Sequence, residues 1–342
     1  MKKVIVSLFS LLLWNSSLHA QALFYQGKTI TLVAGVTAGS VYDAYARFIA
    51  EHWGKHIPGN PDFVVQNIAG AGSLIAANHL YTVAKRDGLT IASIIPAIYF
   101  NQLAGRKEVG FDYSKFNWIG SVDFSDNLVY MRSDTPFKTI HDVQQAAPSP
   151  KCAASGTGTV GHYMPSLLNE TIGTKFEVVL GYPGGPEMDL AVERNETQCR
   201  AFSLAAWFSG EPYRTWRARQ FAHVLIQTGR KRDERLPEVP TLNDLMDEVK
   251  TKELGRRLAS VVLASGELGR PYVLPPGIPA ERLKILREAF MKMVTDPGFL
   301  AEAKRRNLEV KPSTGEELEK IAKEVMTQPA EVIERMKQLM GK

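Results

Sequence analysis

The sequence predicts an α/β fold made of two domains. A short β-branched strand at residues 29–33 is followed by a glycine turn and then by a helix whose apolar residues recur at helical spacing. The order of strand, glycine turn and helix recurs from residue 63 and again from residue 152, and this alternation is typical of parallel sheets with crossover helices. The chain of 342 residues is longer than one typical hydrophobic core requires.

The first glycine turn, at residues 34–43, indicates an anion site. Gly35 and Gly39 allow a ligand to approach the backbone closely. Ser40 and Asp43 have the spacing of a helix cap, so unpaired amides and the positive end of the helix dipole are expected at this turn. A tight connection without any ligand explains the same residues equally well, and the turn alone does not separate the two interpretations.

Two more strands complete the first group of elements. The second strand, at residues 63–68, leads into the glycine turn 69–73 and a helix at 74–84. Asp87 and Gly88 form a turn before the third strand at 90–95. Because ligands bind at the carboxyl ends of strands in such sheets, we expect the loops 34–40, 69–73 and 96–99 to share one edge.

The middle of the chain repeats this order, and the last third is mostly helical. Strands are predicted at residues 118–121, 128–131, 152–155, 176–180, 198–204, 222–227 and 256–263, with a short extended piece at 308–312. Helices are predicted at residues 139–147, from 187, at 280–295 and from 297 towards 307. Thr314 and Glu317 have capping-box spacing and predict the start of a final helix.

Residues 1–22 have the features of a secretory signal peptide. Lys2 and Lys3 precede an apolar stretch at residues 4–14 that is too short to span a bilayer. Ala20 and Ala22 offer small-residue cleavage positions. We therefore expect an exported, soluble protein that is cleaved after Ala22 or after Ala20.

The charge distribution argues against a nucleic-acid partner. Loss of the two leader lysines lowers the formal net charge from +5 to +3. The basic residues are scattered, and the one basic run at residues 230–232 is offset by the acids at 233 and 234. This mild positive charge is compatible with an anionic ligand but does not require one.

The two cysteines, Cys152 and Cys199, are candidates for a disulfide bond. Each lies in a predicted strand, and an exported protein folds in an oxidising compartment. The chain-entropy account gives such a bond about 4 kcal/mol of stabilisation before any strain. Two buried free thiols are the alternative.

Catalytic, cofactor and metal motifs are missing from the sequence. It contains no Gly-x-Ser-x-Gly elbow and no P-loop, and the glycine spacing at residues 156–161 matches a dinucleotide fingerprint only in mid-chain, without the acid that would hold a ribose. His52 and His56 have helix-face spacing but no third metal ligand. His162 lies at a helix start, but the sequence places no acid to orient it as a base. We expect neither catalysis nor a cofactor nor a metal.

Six short motifs carry a resemblance to a known family. They are the opening segment 28–47, residues 66–73 with their glycine turn, the turn and strand entry at 87–90, the glycine turn 155–158, and the proline-rich segments 236–241 and 275–279. In this order they resemble the substrate-binding receptors of tripartite tricarboxylate transporters, the Bug-type extracytoplasmic solute receptors. The resemblance covers essentially the whole mature chain.

The resemblance implies a type II periplasmic-binding-protein-like fold, in which two α/β domains flank a ligand cleft. We expect domain 1 at residues 23–125 plus 229–342, and domain 2 at residues 126–228. The family implies a small organic anion as the ligand, membrane transporter subunits as the partners and the periplasm as the compartment. We expect the receptor to be a monomer.

Carried over by position, the resemblance assigns ligand-binding roles to two loops and two further positions. The residues are Val36, Thr37, Ala38, Gly39, Ser40 and Asp43 in domain 1, and Ser155, Gly156, Thr157, Gly158, Thr159, His162, Tyr182 and Ser203 in domain 2. Asp43 is expected near the ligand without touching it, because a bare carboxylate would repel an anion. The segments around Tyr182 and Ser203 lack charged groups that the family often has there, which leaves the distal half of the ligand open. Aromatic residues at 42, 99, 182, 207 and 208 offer stacking to an aromatic acid, although core packing is the better explanation for each singly.

These observations together predict a periplasmic solute receptor. It captures a carboxylate, dicarboxylate or aromatic acid and delivers it to a tripartite tricarboxylate-type transporter. A receptor that presents its ligand to a signalling partner is an alternative that the sequence does not separate from transport. A secreted enzyme on the same fold is a weaker alternative, because no set of nucleophile, base and orienting group is evident.

Overall fold

The structure is a computed structural model that describes residues 24–36, 38–124, 126–156, 159–182, 185–209 and 211–340. The predicted signal peptide lies outside these residues. The strands are β1 (Thr29–Ala34), β2 (Asp62–Asn67), β3 (Thr90–Ser93), β4 (Asn117–Ser121), β5 (Asn127–Arg132), β6 (Lys151–Ala153), β7 (Glu177–Val179), β8 (Cys199–Ser203), β9 (Ala222–Gln227), β10 (Pro271–Leu274) and β11 (Ser313–Thr314). The helices are α1 (Val41–Trp53), α2 (Leu74–Thr82), α3 (Tyr99–Leu103), α4 (Ile140–Gln144), α5 (Val160–Ile172), α6 (Gly185–Glu193), α7 (Leu204–Ser209), α8 (Tyr213–Ala218), α9 (Leu242–Glu248), α10 (Glu253–Leu268), α11 (Ala280–Val294), α12 (Pro297–Arg305), α13 (Gly315–Met326) and α14 (Ala330–Leu339).

The chain divides into two compact units. Unit 1 comprises the chain up to Phe124 together with Leu268–Met326, and unit 2 comprises Ser125–Glu267 together with Thr327–Lys342. Residues 229–267 and the segment from 327 onwards, which the sequence analysis placed in domain 1, therefore lie in unit 2. Both attach to α5: the Thr251 hydroxyl donates to the Thr171 carbonyl at 2.7 Å, and Arg335 of α14 pairs with Glu170.

Unit 1 contains a six-stranded sheet in the order β11-β4-β10-β3-β1-β2. Strands β1, β2 and β3 run parallel, and β10 pairs antiparallel with both β3 and β4. The sequence analysis missed β10, and its strand at 256–263 was wrong because these residues lie within α10. The buried residues Leu258, Val261 and Val262 recur at helical spacing, so this short β-branched run lies on the buried face of a helix.

The core of unit 1 joins α1 to elements from the end of the chain. Trp53, at the end of α1, contacts Tyr272 of β10 and Phe290 of α11, with ring centroids 5.8 and 5.2 Å away. At the start of α13, Thr314 and Glu317 form the predicted capping box, in which the Thr314 amide donates to the Glu317 carboxylate at 2.8 Å and the Glu317 amide donates back at 3.3 Å. This helix is not the final one, because α14 follows it.

Unit 2 contains a five-stranded sheet in the order β7-β6-β8-β5-β9. Strands β6, β7 and β8 run parallel, while β5 pairs antiparallel with β8 and β9. Cys152 of β6 lies directly opposite Cys199 of β8, and the two form a disulfide bond with 4.4 Å between their Cα atoms. The bond fixes the two central parallel strands to each other.

Across the described ranges from residue 24 to residue 340, no helix is long and apolar enough to cross a bilayer.

Candidate functional site

The loop after β1 is built around the buried carboxylate of Asp43, which is only 2% exposed. Its oxygens accept hydrogen bonds from the Gly39 amide at 2.8 Å, the Asn67 side-chain amide at 2.8 Å and the Arg47 Nε at 2.9 Å. The Ser40 hydroxyl caps α1 by accepting from the Asp43 amide at 3.3 Å. Asp43 therefore holds the loop from inside.

The carboxylate of Asp43 is ionised in this environment. Burial alone would raise its pKa, but the hydrogen bonds from Arg47, Asn67 and Gly39 together lower the pKa below its ordinary value. Arg47 is half-exposed and also donates to the Asn67 oxygen at 3.0 Å. The only guanidinium that contacts Asp43 among the described residues is thus already neutralised by a protein carboxylate.

Gly39 has a left-handed backbone, with φ of +81°, and an added Cβ would meet open space. Glycine is therefore required by the backbone conformation and not by crowding. Because the Gly39 amide already donates to Asp43, it is not available to a ligand. The donors that remain at this turn are the first amides of α1, which have no acceptor inside the helix.

Two side chains from neighbouring loops join the carboxyl ends of β1, β2 and β3. The buried Ser73 hydroxyl donates to the Gly35 carbonyl at 2.7 Å and accepts from the Ile95 amide at 3.0 Å. Asn67 donates to the Val36 carbonyl at 3.1 Å in addition to its bond to Asp43. The three loops therefore meet at one edge of the unit 1 sheet, as the strand order predicts. The sequence analysis did not identify the roles of Ser73 and Asn67.

The second predicted loop follows β6 in unit 2. The Thr159 hydroxyl donates to the Gly156 carbonyl at 2.7 Å, so it closes the loop internally. The hydroxyl of Ser155 has no hydrogen-bond partner among the described residues. Gly161 allows α5 to pack on the end of β6, because an added Cβ would lie 3.1 Å from the Ala153 carbonyl.

His162 lies in the first turn of α5, and its Nδ1 is buried without a hydrogen-bond partner in the described part of the chain. Burial lowers the pKa of this imidazole. The ring is therefore neutral near pH 7 and can offer a hydrogen bond to an anion without adding charge.

Tyr182 and Ser203 lie at the same edge of the unit 2 sheet as this loop. The Tyr182 amide donates to the Ala154 carbonyl at 3.4 Å, which brings the segment after β7 beside the end of β6. Ser203 is the last residue of β8, which runs parallel to β6. Thr37, Thr157 and Gly158 lie outside the described residues.

A buried ion pair that the sequence analysis missed supports this edge. Arg200 of β8 donates to the Asp189 carboxylate of α6 at 2.6 Å and to the Gly185 carbonyl at 3.2 Å. The hydroxyls of Tyr130 and Tyr213 both donate to Asp189, at 2.8 and 2.6 Å. The network fixes the start of α6, which follows the Tyr182 segment. These four residues come from distant parts of the chain, so no local motif announces them.

Two of the aromatic residues that were considered for stacking lie in the core, and a third is held by a hydrogen bond. Tyr99 and Trp207 are buried, and Tyr42 donates its hydroxyl to the Gly269 carbonyl at 3.1 Å. Within the described ranges, no group of three His, Cys, Asp or Glu side chains could hold a metal ion.

A comparison of the chain with models of known protein families identifies its family. The profile of the tripartite tricarboxylate transporter family receptor matches residues 45–338. The chain belongs to this family. The resemblance drawn from the six sequence motifs is therefore confirmed. Proteins of this family are solute-binding receptors.

Several solved structures share the fold of this chain. A TctC solute-binding protein from Polaromonas is 18% identical with a TM-score of 0.70, covering 91% of this chain and 99% of that one. A protein from R. palustris described with adipate is 19% identical with a TM-score of 0.58, covering 92% and 98%. MatC from Rhodopseudomonas palustris with bound malate is 17% identical with a TM-score of 0.56, covering 92% and 99%. The predicted α/β periplasmic-binding-protein fold is confirmed.

Proposed function

We propose that this tripartite tricarboxylate receptor homologue is a periplasmic receptor for a small organic carboxylate, which it delivers to the membrane subunits of its transporter. The family supports the receptor role. Two proteins of the same fold are described with adipate and with malate, both of which are dicarboxylates. The signal peptide predicted at residues 1–22 supports export to the periplasm.

The observation that carries the proposal is the loop around Asp43. Its buried carboxylate accepts the Gly39 amide and the Asn67 side chain, so the loop is rigid before any ligand arrives. The start of α1 then presents amides and the positive end of a helix dipole. Arg47 is occupied by Asp43. We infer that neutral donors bind one carboxylate group of the ligand, each contributing about 0.5–1.5 kcal/mol.

The loop after β6 is proposed to contribute further donors. The unpartnered Ser155 hydroxyl and the neutral His162 ring supply hydrogen bonds, and Thr159 keeps the loop closed. Tyr182 and Ser203 are proposed as the positions that select the rest of the ligand. Among these residues the only titratable groups are an imidazole and a phenol, so shape and hydrogen bonding select the ligand here.

A thermal-shift screen of carboxylic acids tests the proposal directly. Malate, adipate and benzoate are suitable probes, each compared with its amide. A ligand present at 100 times its dissociation constant should stabilise the protein by about 2.7 kcal/mol. If no acid in the screen stabilises the protein more than its amide does, carboxylate binding is the wrong function.

Variants of the unit 1 loop then locate the site. Gly39→Val forces a β-branched residue into a left-handed backbone, and we expect it to abolish binding while the protein still folds. Gly27→Val is the matched control, because Gly27 also has a positive φ, of +65°, and open space around it but lies before β1. Equal loss of binding in both variants would mean that strain in unit 1, and not the loop, controls affinity.

A second pair of variants tests the unit 2 loop. We expect Ser155→Ala to weaken binding about tenfold, which corresponds to one hydrogen bond of about 1.4 kcal/mol. Ser166→Ala is the control, because that hydroxyl donates to the His162 carbonyl within α5 at 2.9 Å. If calorimetry shows that Ser155→Ala binds the ligand as tightly as the parent does, the loop after β6 does not belong to the site.

Export and delivery need separate measurements. N-terminal sequencing of periplasmic material should begin at Gln21 or Leu23, and an intact Met1 would contradict export. Deletion of the receptor should abolish uptake of the labelled ligand by cells. If uptake persists while a transcriptional response to the ligand is lost, the receptor serves sensing.

A further inference from the structure

A serine and a histidine meet in the wall of a cavity of about 720 Å³ in unit 2. Ser133 directly follows β5, and His223 is the second residue of the neighbouring edge strand β9. The Ser133 hydroxyl lies 3.3 Å from Nδ1 of His223. The backbone supports this contact, because the Ser133 amide donates to the Phe221 carbonyl at 2.8 Å. Both side chains are partly exposed and line the cavity, so a ligand in the cavity can reach them.

The other ring nitrogen of His223 fixes the direction of this hydrogen bond. Its Nε2 lies 3.2 Å from the Phe137 carbonyl, which can only accept, so Nε2 carries the proton. In the neutral ring Nδ1 is then the acceptor, and the Ser133 hydroxyl donates to it. Burial lowers the pKa of His223 below its ordinary value, so the ring is neutral near pH 7. In this geometry an oriented general base activates a nucleophilic hydroxyl.

A positive charge lies beside the serine. The Lys138 ammonium donates to the Ser133 carbonyl, and Lys138 also lines the cavity. An ammonium group has three N–H donors, so Lys138 keeps donors for a second oxygen. When the Ser133 hydroxyl attacks a carbonyl carbon, negative charge develops on the carbonyl oxygen, and a nearby cation stabilises that charge. Lys138 therefore supplies the electrostatic stabilisation that an acyl-transfer reaction needs.

Aliphatic side chains form much of the remaining wall of the cavity. They are the buried residues Ile140, Leu225, Leu236 and Val239. Pockets for small molecules commonly have volumes of about 300–1,000 Å³ and mostly apolar walls. The cavity is therefore large enough for a short apolar acyl group to pack beside the serine and the histidine.

We propose that Ser133 and His223 form an acyl-transfer site that hydrolyses small esters with an apolar acyl group. Ser133 Oγ bonds to the acyl carbon while its proton passes to His223 Nδ1. The ester C–O bond then breaks, and the leaving alcohol takes this proton. Water attacks the acyl-serine and gives its proton to His223, which returns it to Ser133 as the free acid leaves. The proposal does not depend on the proposed function, because none of these residues belongs to the proposed carboxylate site.

The test measures the nitrophenolate that the full mature protein releases from p-nitrophenyl butyrate. We expect the parent to release it about tenfold faster than Ser133→Ala, or more. The rate should be level around neutral pH and fall in acid, because protonation of His223 removes the base. Attack by surface lysines gives a rate that rises steadily with pH instead. Equal rates for the parent and Ser133→Ala, or a rate that only rises with pH, would overturn the proposal.

Two histidine variants test the general base. His223→Gln can still donate to the Phe137 carbonyl but cannot take the serine proton. It should release nitrophenolate as slowly as Ser133→Ala, because a general base contributes about a hundredfold or more. His141→Gln should keep the parent rate, since His141 lines the same cavity but contacts the Gln144 side chain through Nδ1 at 3.0 Å. Equal rates in the two histidine variants would contradict the role of His223.

Covalent labelling of the parent decides the question if these variants do not fold. Phenylmethanesulfonyl fluoride transfers its sulfonyl group to an activated serine, and fluoride leaves with the serine proton. Trypsin cleaves after Arg132 and after Lys138, so it releases residues 133–138 as one peptide. We expect the label on Ser133 in this peptide, and we expect the labelled protein to release no nitrophenolate. A peptide without the label would overturn the proposal.

Discussion

Replacement of Asp43 tests whether a buried acid builds the first ligand loop. Asp43→Ala removes the acceptor for the Gly39 amide, the Asn67 side chain and the Arg47 guanidinium. Because Arg47 is half-exposed and screened by solvent, its ion pair adds little to this loss. The bonds from the Gly39 amide and the Asn67 side chain lose about 1–1.5 kcal/mol each, so unit 1 should be destabilised by about 2–3 kcal/mol. Urea denaturation followed by circular dichroism measures this loss.

The contribution of Asp43 to stability depends on pH with a defined sign. Because the pKa of Asp43 is lowered in the folded protein, its ionised form stabilises the fold above the ordinary pKa of about 4. This contribution disappears as the pH falls through the lowered value. The difference in unfolding free energy between the parent and Asp43→Asn should therefore be largest at neutral pH and shrink in acid. A difference that stays constant with pH would refute the assigned charge state.

Asp142 provides a matched control for this reasoning. Its carboxylate likewise accepts two amide donors at the start of a helix, the backbone amides of Lys138 and Thr139 at 2.8 Å each, but it is exposed. Asp142→Ala should cost about 1 kcal/mol, as expected for the loss of an exposed cap. If Asp43→Ala costs no more than Asp142→Ala, burial does not strengthen the Asp43 network and the loop is not rigid in the way proposed.

Two further predictions concern the sheets that carry the loops. The Cys152–Cys199 disulfide joins strands 47 residues apart in sequence, and its reduction should lower the free energy of unfolding by about 4 kcal/mol. Urea denaturation with and without reductant measures this change. A change below about 1 kcal/mol would show that the unfolded chain is already restricted without the bond. Ser73→Ala leaves the Gly35 carbonyl and the Ile95 amide unpaired and should lower the free energy of unfolding by about 2–3 kcal/mol. The control Ser166→Ala on α5 should lower it by less than about 1 kcal/mol. Equal losses of stability in the two variants would show that Ser73 does not join the strand ends.

The parts of the fold that are encoded locally could be predicted from the sequence. Thr29–Ala34 forms the expected strand and Val41–Trp53 the expected helix, because the β-branched run, the Ser40 cap and the apolar helix face lie next to one another in the sequence. The capping box of Thr314 was predicted for the same reason. The strand predicted at 256–263 was wrong because Val261 and Val262 are compatible with a strand or with the buried face of a helix, and only packing decides between the two.

The side chains that stabilise the site loops could not be predicted in this way. Asn67 reaches the Asp43 loop from 24 residues away, and Ser73 reaches Gly35 from 38 residues away. Polar residues after a strand are common, so neither position carries a local signal that distinguishes it from an ordinary turn. The glycine turns therefore carry the prediction of a ligand site, but they do not reveal which side chains hold those turns in place.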